Sequence, residues 1–132
     1  MTPTARTLAR LRKLGYAAGV VERFIRFPPP GHRSDLFGCI DVVGVKRNEN
    51  GVLGIQATTI GNMSSRIKKA KAQPPLAIWL ASGNRWECWG WVKKGHRWAV
   101  KVVALVGEDL EQVIVEKVRR SVPSRHVQRE LF

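Results

Sequence analysis

Short apolar runs alternate along the chain with polar breaks marked by glycine and proline, and the period of each run predicts its element. Leu8 and Leu11, with Ala5, recur at helical spacing over residues 4–14, among Arg6, Arg10, Arg12 and Lys13; Gly15 is a stop signal. Residues 18–25, with Val20, Val21 and Phe24, read as a first strand, and Pro28-Pro29-Pro30-Gly31 as a loop. Residues 37–46 and 52–58 read as second and third strands around the turn signal Asn48-Glu49-Asn50-Gly51. Met63, Ile67 and Ala70 predict a helix over 62–72, which Pro74-Pro75 ends. The almost wholly apolar run 76–81 reads as a strand covered on both faces. Residues 85–92 and 96–105 read as two more strands joined at Lys93-Lys94-Gly95. Residues 108–120 read as an amphipathic helix, acidic in its first turn and basic in its last, as the helix dipole favours.

This order predicts an α/β domain: a mixed central sheet flanked by helices, followed by a C-terminal hairpin and helix. The connection from the third strand through the basic helix is long enough for a parallel crossover. At 132 residues the chain reads as a single domain over 1–120 with a basic tail over 121–132.

Charge narrows the picture. Lys and Arg number 23 against 10 Asp and Glu, a formal net charge of +13. Such an excess repels itself and favours polyanionic partners. Cys39 and Cys88 lie inside apolar runs and read as buried free thiols. Two cysteines and the scattered His32, His96 and His126 give no zinc spacing. No segment approaches the roughly 20 apolar residues of a membrane span, and no signal-peptide pattern opens the chain. These features predict action in the cytoplasm, or in a host cytoplasm.

Against this basic background Asp35 and Asp41 flank an apolar segment, and Gln56 and Thr58 lie one residue apart on the next. Strand alternation puts Asp41 with Val43 and Val45, and Gln56 with Thr58. If the two strands pair, Asp41 faces Gln56 and Thr58, and the missing bulk at Gly54 leaves room beside them. A carboxylate in such an apolar setting needs a partner: a divalent cation held by oxygen donors, or a salt bridge to one of the many basic residues. Asp35 reads as a further ligand or as a cap or partner of Arg33; Glu22 as an accessory acid or as a partner of Arg23 or Arg26. The five tryptophans all fall in the second half; Trp86 reads as core or interface packing in preference to base stacking.

The stretch Arg33-Ser34-Asp35-Leu36-Phe37-Gly38-Cys39-Ile40-Asp41, followed by Gln56-Ala57-Thr58, resembles the PD-(D/E)XK nuclease superfamily. It looks most like small phage-encoded and Holliday-junction-resolvase-like members. The superfamily shares a restriction-endonuclease-like core of helix, three strands, helix and strand. Its motif is an Asp opening the second strand and Glu/Gln-x-Lys on the third. The resemblance implies a metal-dependent DNA endonuclease, acting on branched or junction DNA as a homodimer with Mg²⁺ or Mn²⁺. It implies Asp41 and Gln56 as metal ligands, helped by Asp35, and Thr58 where lysine usually stands. The missing positive charge then falls to Arg66, Lys68 or Lys69, or a second metal is held by Asp35 or Glu22; alternation puts Lys46 on the wrong face. Arg33, Arg66, Lys68, Lys69 and the arginines of the first helix are the expected DNA contacts, against ordinary solvated charge. Two readings stand beside the nuclease: a DNA-binding protein that keeps the fold without cutting, and a protein-interaction module.

Overall fold

The structure is a computed structural model that describes residues 1–107 and the backbone of 112–118. Helix α1 (Pro3–Lys13) opens the chain. Thr2 accepts a hydrogen bond from the Ala5 N–H at 3.1 Å and Pro3 occupies the first turn, where its missing N–H costs nothing. The helix stops where the sequence predicts. Gly15, at φ +96°, donates to the Arg12 carbonyl and Tyr16 donates to that of Leu11, which caps the last turn in a left-handed reversal.

The strands are β1 (Ala17–Val20), β2 (Arg23–Ile25), β3 (His32–Ser34), β4 (Val42–Val45) and β5 (Leu53–Thr59). A 3₁₀ turn (Ile60–Asn62) leads into α2 (Met63–Lys71) and α3 (Pro74–Ala81), followed by β6 (Arg85–Lys94), β7 (Arg97–Val106) and β8 (Gln112–Val118). One six-stranded sheet has the order β1-β4-β5-β6-β7-β8; β2 and β3 form a separate hairpin. β5 and β6 are parallel and the other neighbours antiparallel, so the sheet is mixed and helices flank it, as the patterning predicts.

Two cores cover the two faces. On one, Leu11 of α1 packs with Tyr16, Val42, Leu53, Ile55, Trp89, Trp91, Val100 and Val102. On the other, Met63, Ala70 and Leu76 of α2 and α3 pack on Cys39, Ile40, Trp86, Cys88, Val103 and Leu105. The tryptophans serve packing: Trp86, Trp89 and Trp91 are buried. Their indole N–H groups donate to the Cys39 carbonyl, Glu87 and Thr7. Both cysteines are free and buried.

Three expectations are corrected. The run 76–81 is helix α3, not a strand. Its apolar residues fit either element, and Pro74 and Pro75 sit in the first turn, where proline's fixed φ starts a helix. The parallel partner of β5 is therefore β6, with both helices in the crossover. The single strand expected over 18–25 is divided: β1 joins the large sheet and β2 leaves it to pair with β3. The helix expected over 108–120 is, across Gln112–Val118, a strand. Its Val113-Ile114-Val115 run is β-branched and β7 offers an open edge to pair with. The tail expected over 121–132 lies outside the described residues.

Candidate active site

Asp41 stands one residue before β4, tied to both neighbouring strands by its backbone. Its N–H donates to the Ile55 carbonyl at 2.9 Å, and its carbonyl accepts from the Val21 N–H at 3.0 Å. The side chain turns onto β5. Oδ1 accepts from the Ala57 N–H at 3.1 Å, and Oδ2 accepts from Gln56 Nε2 at 3.1 Å. The same Nε2 donates to Asp35 Oδ2 at 3.3 Å. One amide nitrogen thus stands between two carboxylates, where a positive charge would be most stabilising.

The chain reaches this arrangement by a route that strand parity does not supply. Residues 37–46 were expected to form one strand, but β4 begins only at Val42. Before it the backbone reverses at Phe37 (φ 57°) and Gly38 (φ 74°), and Gly38 donates to the Asp35 carbonyl at 3.2 Å. That turn carries Asp35 back beside Gln56. Gly54 opens no space here, contrary to expectation: a Cβ on it would meet Ile40 Cδ1 at 2.9 Å and Trp79 Cζ2 at 3.0 Å. The glycine admits a tightly packed core.

Asp41, Gln56 and Thr58 are all buried, yet they line a cleft of about 280 Å³ together with Glu22, Asp35 and Arg66. The cleft lies where β5 ends and β4 begins, and the first turns of α1 and α2 reach it through Pro3, Thr4 and Asn62. Close packing holds α2 there: Gly90 of β6 has no side chain, and Met63 fills its place. Among the described residues three acids, Glu22, Asp35 and Asp41, face this one cleft, although the whole chain carries +13. Burial pushes the Asp41 carboxyl up to about 7; the Ala57 N–H opposes the rise, and the charges of Asp35 and Glu22 add to it. Among the described residues no ion pair involves Asp41.

The other candidates separate cleanly. Glu22 pairs with Arg33 at 3.5 Å, not with Arg23 or Arg26, and Asp35 bonds to Gln56, not to Arg33. Among the described residues Arg66 is the cation that lines the cleft; Lys68 and Lys69 are exposed on α2 outside its lining. Lys46 lies 5.4 Å from the Tyr16 ring, away from the cleft. Sequence reading missed the Ala57 N–H, which any residue type supplies, and Thr4, Thr59 and Asn62. The last two carried a weak signal as polar residues just before a helix; Asn62 donates to the Thr59 hydroxyl at 3.1 Å.

The donor set fits a hard divalent cation. Two carboxylates are oxygen donors of the kind that hold Mg²⁺ or Mn²⁺, and Mg²⁺ keeps several waters when bound by few protein groups. The Gln56 amide, which turns its nitrogen to both, adds its oxygen only if the amide rotates. Among the described residues no three His, Cys, Asp or Glu side chains form a metal cluster; Asp41 and Asp35 are the two carboxylates that the Gln56 amide joins. Among the described residues no helix is long and apolar enough to cross a membrane. No family model, curated protein or solved structure matches this chain.

Proposed function

We propose that this chain is a divalent-metal-dependent DNA endonuclease of the PD-(D/E)XK type, acting on branched or junction DNA as a homodimer. One observation carries the reading: the buried Asp41 carboxylate, held by Gln56 and the Ala57 N–H, lacks an ion-pair partner among the described residues and opens into an acidic cleft. A carboxylate so placed is costly unless it keeps its proton or a cation arrives, and above about pH 7 only the cation relieves it. The order of elements adds support, since a helix, three antiparallel strands, a helical crossover and a parallel strand match the core that the motif implies. Two buried free thiols suit a reducing, cytoplasmic setting.

Asp41 and Asp35 would hold the cation, and Gln56 would add the amide oxygen that the motif assigns to the same ion once its amide, whose nitrogen now faces both carboxylates, rotates. When bound, the cation polarises the scissile phosphate and lowers the pKa of water. The Ala57 N–H fixes the Asp41 carboxylate in orientation, as outer partners of metal ligands do. Arg66 faces the cleft from α2 and supplies the positive charge that Thr58 cannot. Incubating the protein with labelled junction, flap and duplex DNA, with Mn²⁺ or with excess chelator, tests this. Cleavage in Mn²⁺ alone, lost in Asp41→Asn, is expected; equal cleavage by that variant or in chelator sinks the reading.

A second reading has its own observation. Thr58 is buried in the position of the usual lysine, and no lysine lines the cleft among the described residues. A DNA-binding protein without cleavage would show salt-dependent binding and no effect of Mn²⁺ at Asp41.

A further inference from the structure

The β2–β3 hairpin is rooted at the cleft. Glu22 immediately precedes β2, Asp35 immediately follows β3, and both side chains line the cleft. The strands pair only with each other, Arg23 opposite Ser34 and Ile25 opposite His32, so the arm stands apart from the main sheet. Between its two acidic ends it carries Arg23, Arg26, His32 and Arg33 and no further acid. It also carries two large exposed aromatics, Phe24 at 55 % and Phe27 at 73 %. The Phe24 ring lies against Gly31, where any side chain would collide with it, so one edge is fixed while the remainder stays open. The three prolines of the loop restrict its backbone.

A single exposed apolar side chain is ordinary, but two exposed phenylalanines on one small arm beside the cleft mark it as a contact surface. A second copy of this basic arm would face like charge, in a chain already at +13. A nucleic acid answers both features, its phosphates meeting the arginines and an unpaired base offering a π face. We infer that Phe24 and Phe27 stack on an unpaired base beside the scissile phosphate, so that the hairpin selects branched or gapped DNA over continuous duplex. This rests on the nuclease reading for the word scissile, but it concerns binding and is measured without cleavage.

The full chain is titrated in chelator against a continuous duplex and against a branched duplex with 2-aminopurine at the unpaired position. Wild type is expected to prefer the branched DNA and to quench the 2-aminopurine. Phe24→Ala/Phe27→Ala is expected to narrow that preference by roughly 5-fold or more and to lose the quench; Phe27→Trp is expected to keep both. An unchanged thermal midpoint in the double variant shows that the fold is intact. No preference in wild type, or the same preference in the double variant, overturns the inference. So does a wild-type dimer that becomes monomeric in the double variant, since the arm would then be a protein interface. The two readings fail separately: preference without Mn²⁺-dependent cleavage removes the nuclease and leaves the hairpin, and cleavage with an unchanged preference does the reverse.

Discussion

Two carboxylates are buried at opposite ends of β4, and the protein treats them in opposite ways. Glu49, in the turn after β4, has a side chain only 1 % exposed. It lies 3.1 Å from Arg85 Nη2 and accepts the Tyr16 hydroxyl at 2.7 Å. Asp41, just before β4, accepts from an amide side chain and from backbone N–H groups and meets no cation among the described residues, and its acidic neighbours push its pKa further up. The Glu49 end supplies its cation from within the fold. The Asp41 end leaves that charge unsupplied among the described residues, beside a cleft. Burial alone therefore does not mark a functional acid; burial without internal compensation does.

The widest separation of the two ends is in activity. If the proposed nuclease reading holds, Asp41→Asn is expected to reduce Mn²⁺-dependent cleavage by on the order of 1000-fold or more, because Asp41 is there a ligand and not merely an outer partner. Arg85→Met, measured below its unfolding temperature, is expected to cleave like wild type. Nuclease assays on both variants check this, and similar losses would erase the distinction.

In stability the order reverses. Arg85→Met leaves Glu49 buried without its cation and is expected to cost about 3 kcal/mol. Asp41→Asn removes a charge the fold does not neutralise and is expected to stabilise the metal-free protein by about 2 kcal/mol at pH 8. Urea titrations of the two variants decide; a loss of stability in Asp41→Asn would mean that an internal cation compensates Asp41 after all.

The pH dependence carries the same sign. Asp41 holds its proton to about pH 7 in the folded chain, against 3.8 ordinarily. The folded state binds more protons across that window, so Asp41 makes stability fall as pH rises from 3.8 to about 7, with no further loss above. Denaturant titrations of wild type against Asp41→Asn isolate this contribution: the variants converge near pH 4 and diverge by pH 8. Millimolar Mg²⁺ should narrow the gap at pH 8 by stabilising wild type alone, read as a shift in thermal midpoint.

The smallest effect tests the Glu49 end by itself. Tyr16 is the single tyrosine, and burial, reinforced by its hydrogen bond to the Glu49 carboxylate, holds its pKa above the usual range. Tyrosinate absorbance should therefore emerge only as the protein unfolds in alkali. Tyr16→Phe should cost about 1 kcal/mol.

Much of this molecule was legible in its sequence. Helical and alternating periods located α1, α2, β5, β6 and β7 to within a few residues, because those segments each bury one face or lie between two covered faces. Parity along β5 aligned Gln56 with Thr58, and the Asp41 motif pointed to the same side. Short-range pattern failed where two elements share a pattern. The run 76–81 is apolar enough for strand or helix, and the two prolines of its first turn, with its place in the crossover packed among Trp86 and Cys88, made it a helix. The 112–118 segment has both an amphipathic period and β-branched residues, and the free edge of β7 decided between them.

For the site, the sequence by itself determined the chemical inventory: which acids and amides lie on or beside β4 and β5, and that a basic chain surrounds them. Tertiary structure decided which of them meet. The turn at Phe37–Gly38 brought Asp35 to Gln56, and the packing of α2 on Gly90 brought Arg66, and neither Lys68 nor Lys69, to the cleft. The β2–β3 arm was set beside them by a division of the first strand that no local period announces. The reason is one of range. Periodicity reports which face of an element is buried, whereas the compensation of a charge depends on groups far away in the chain, and only packing settles their distances.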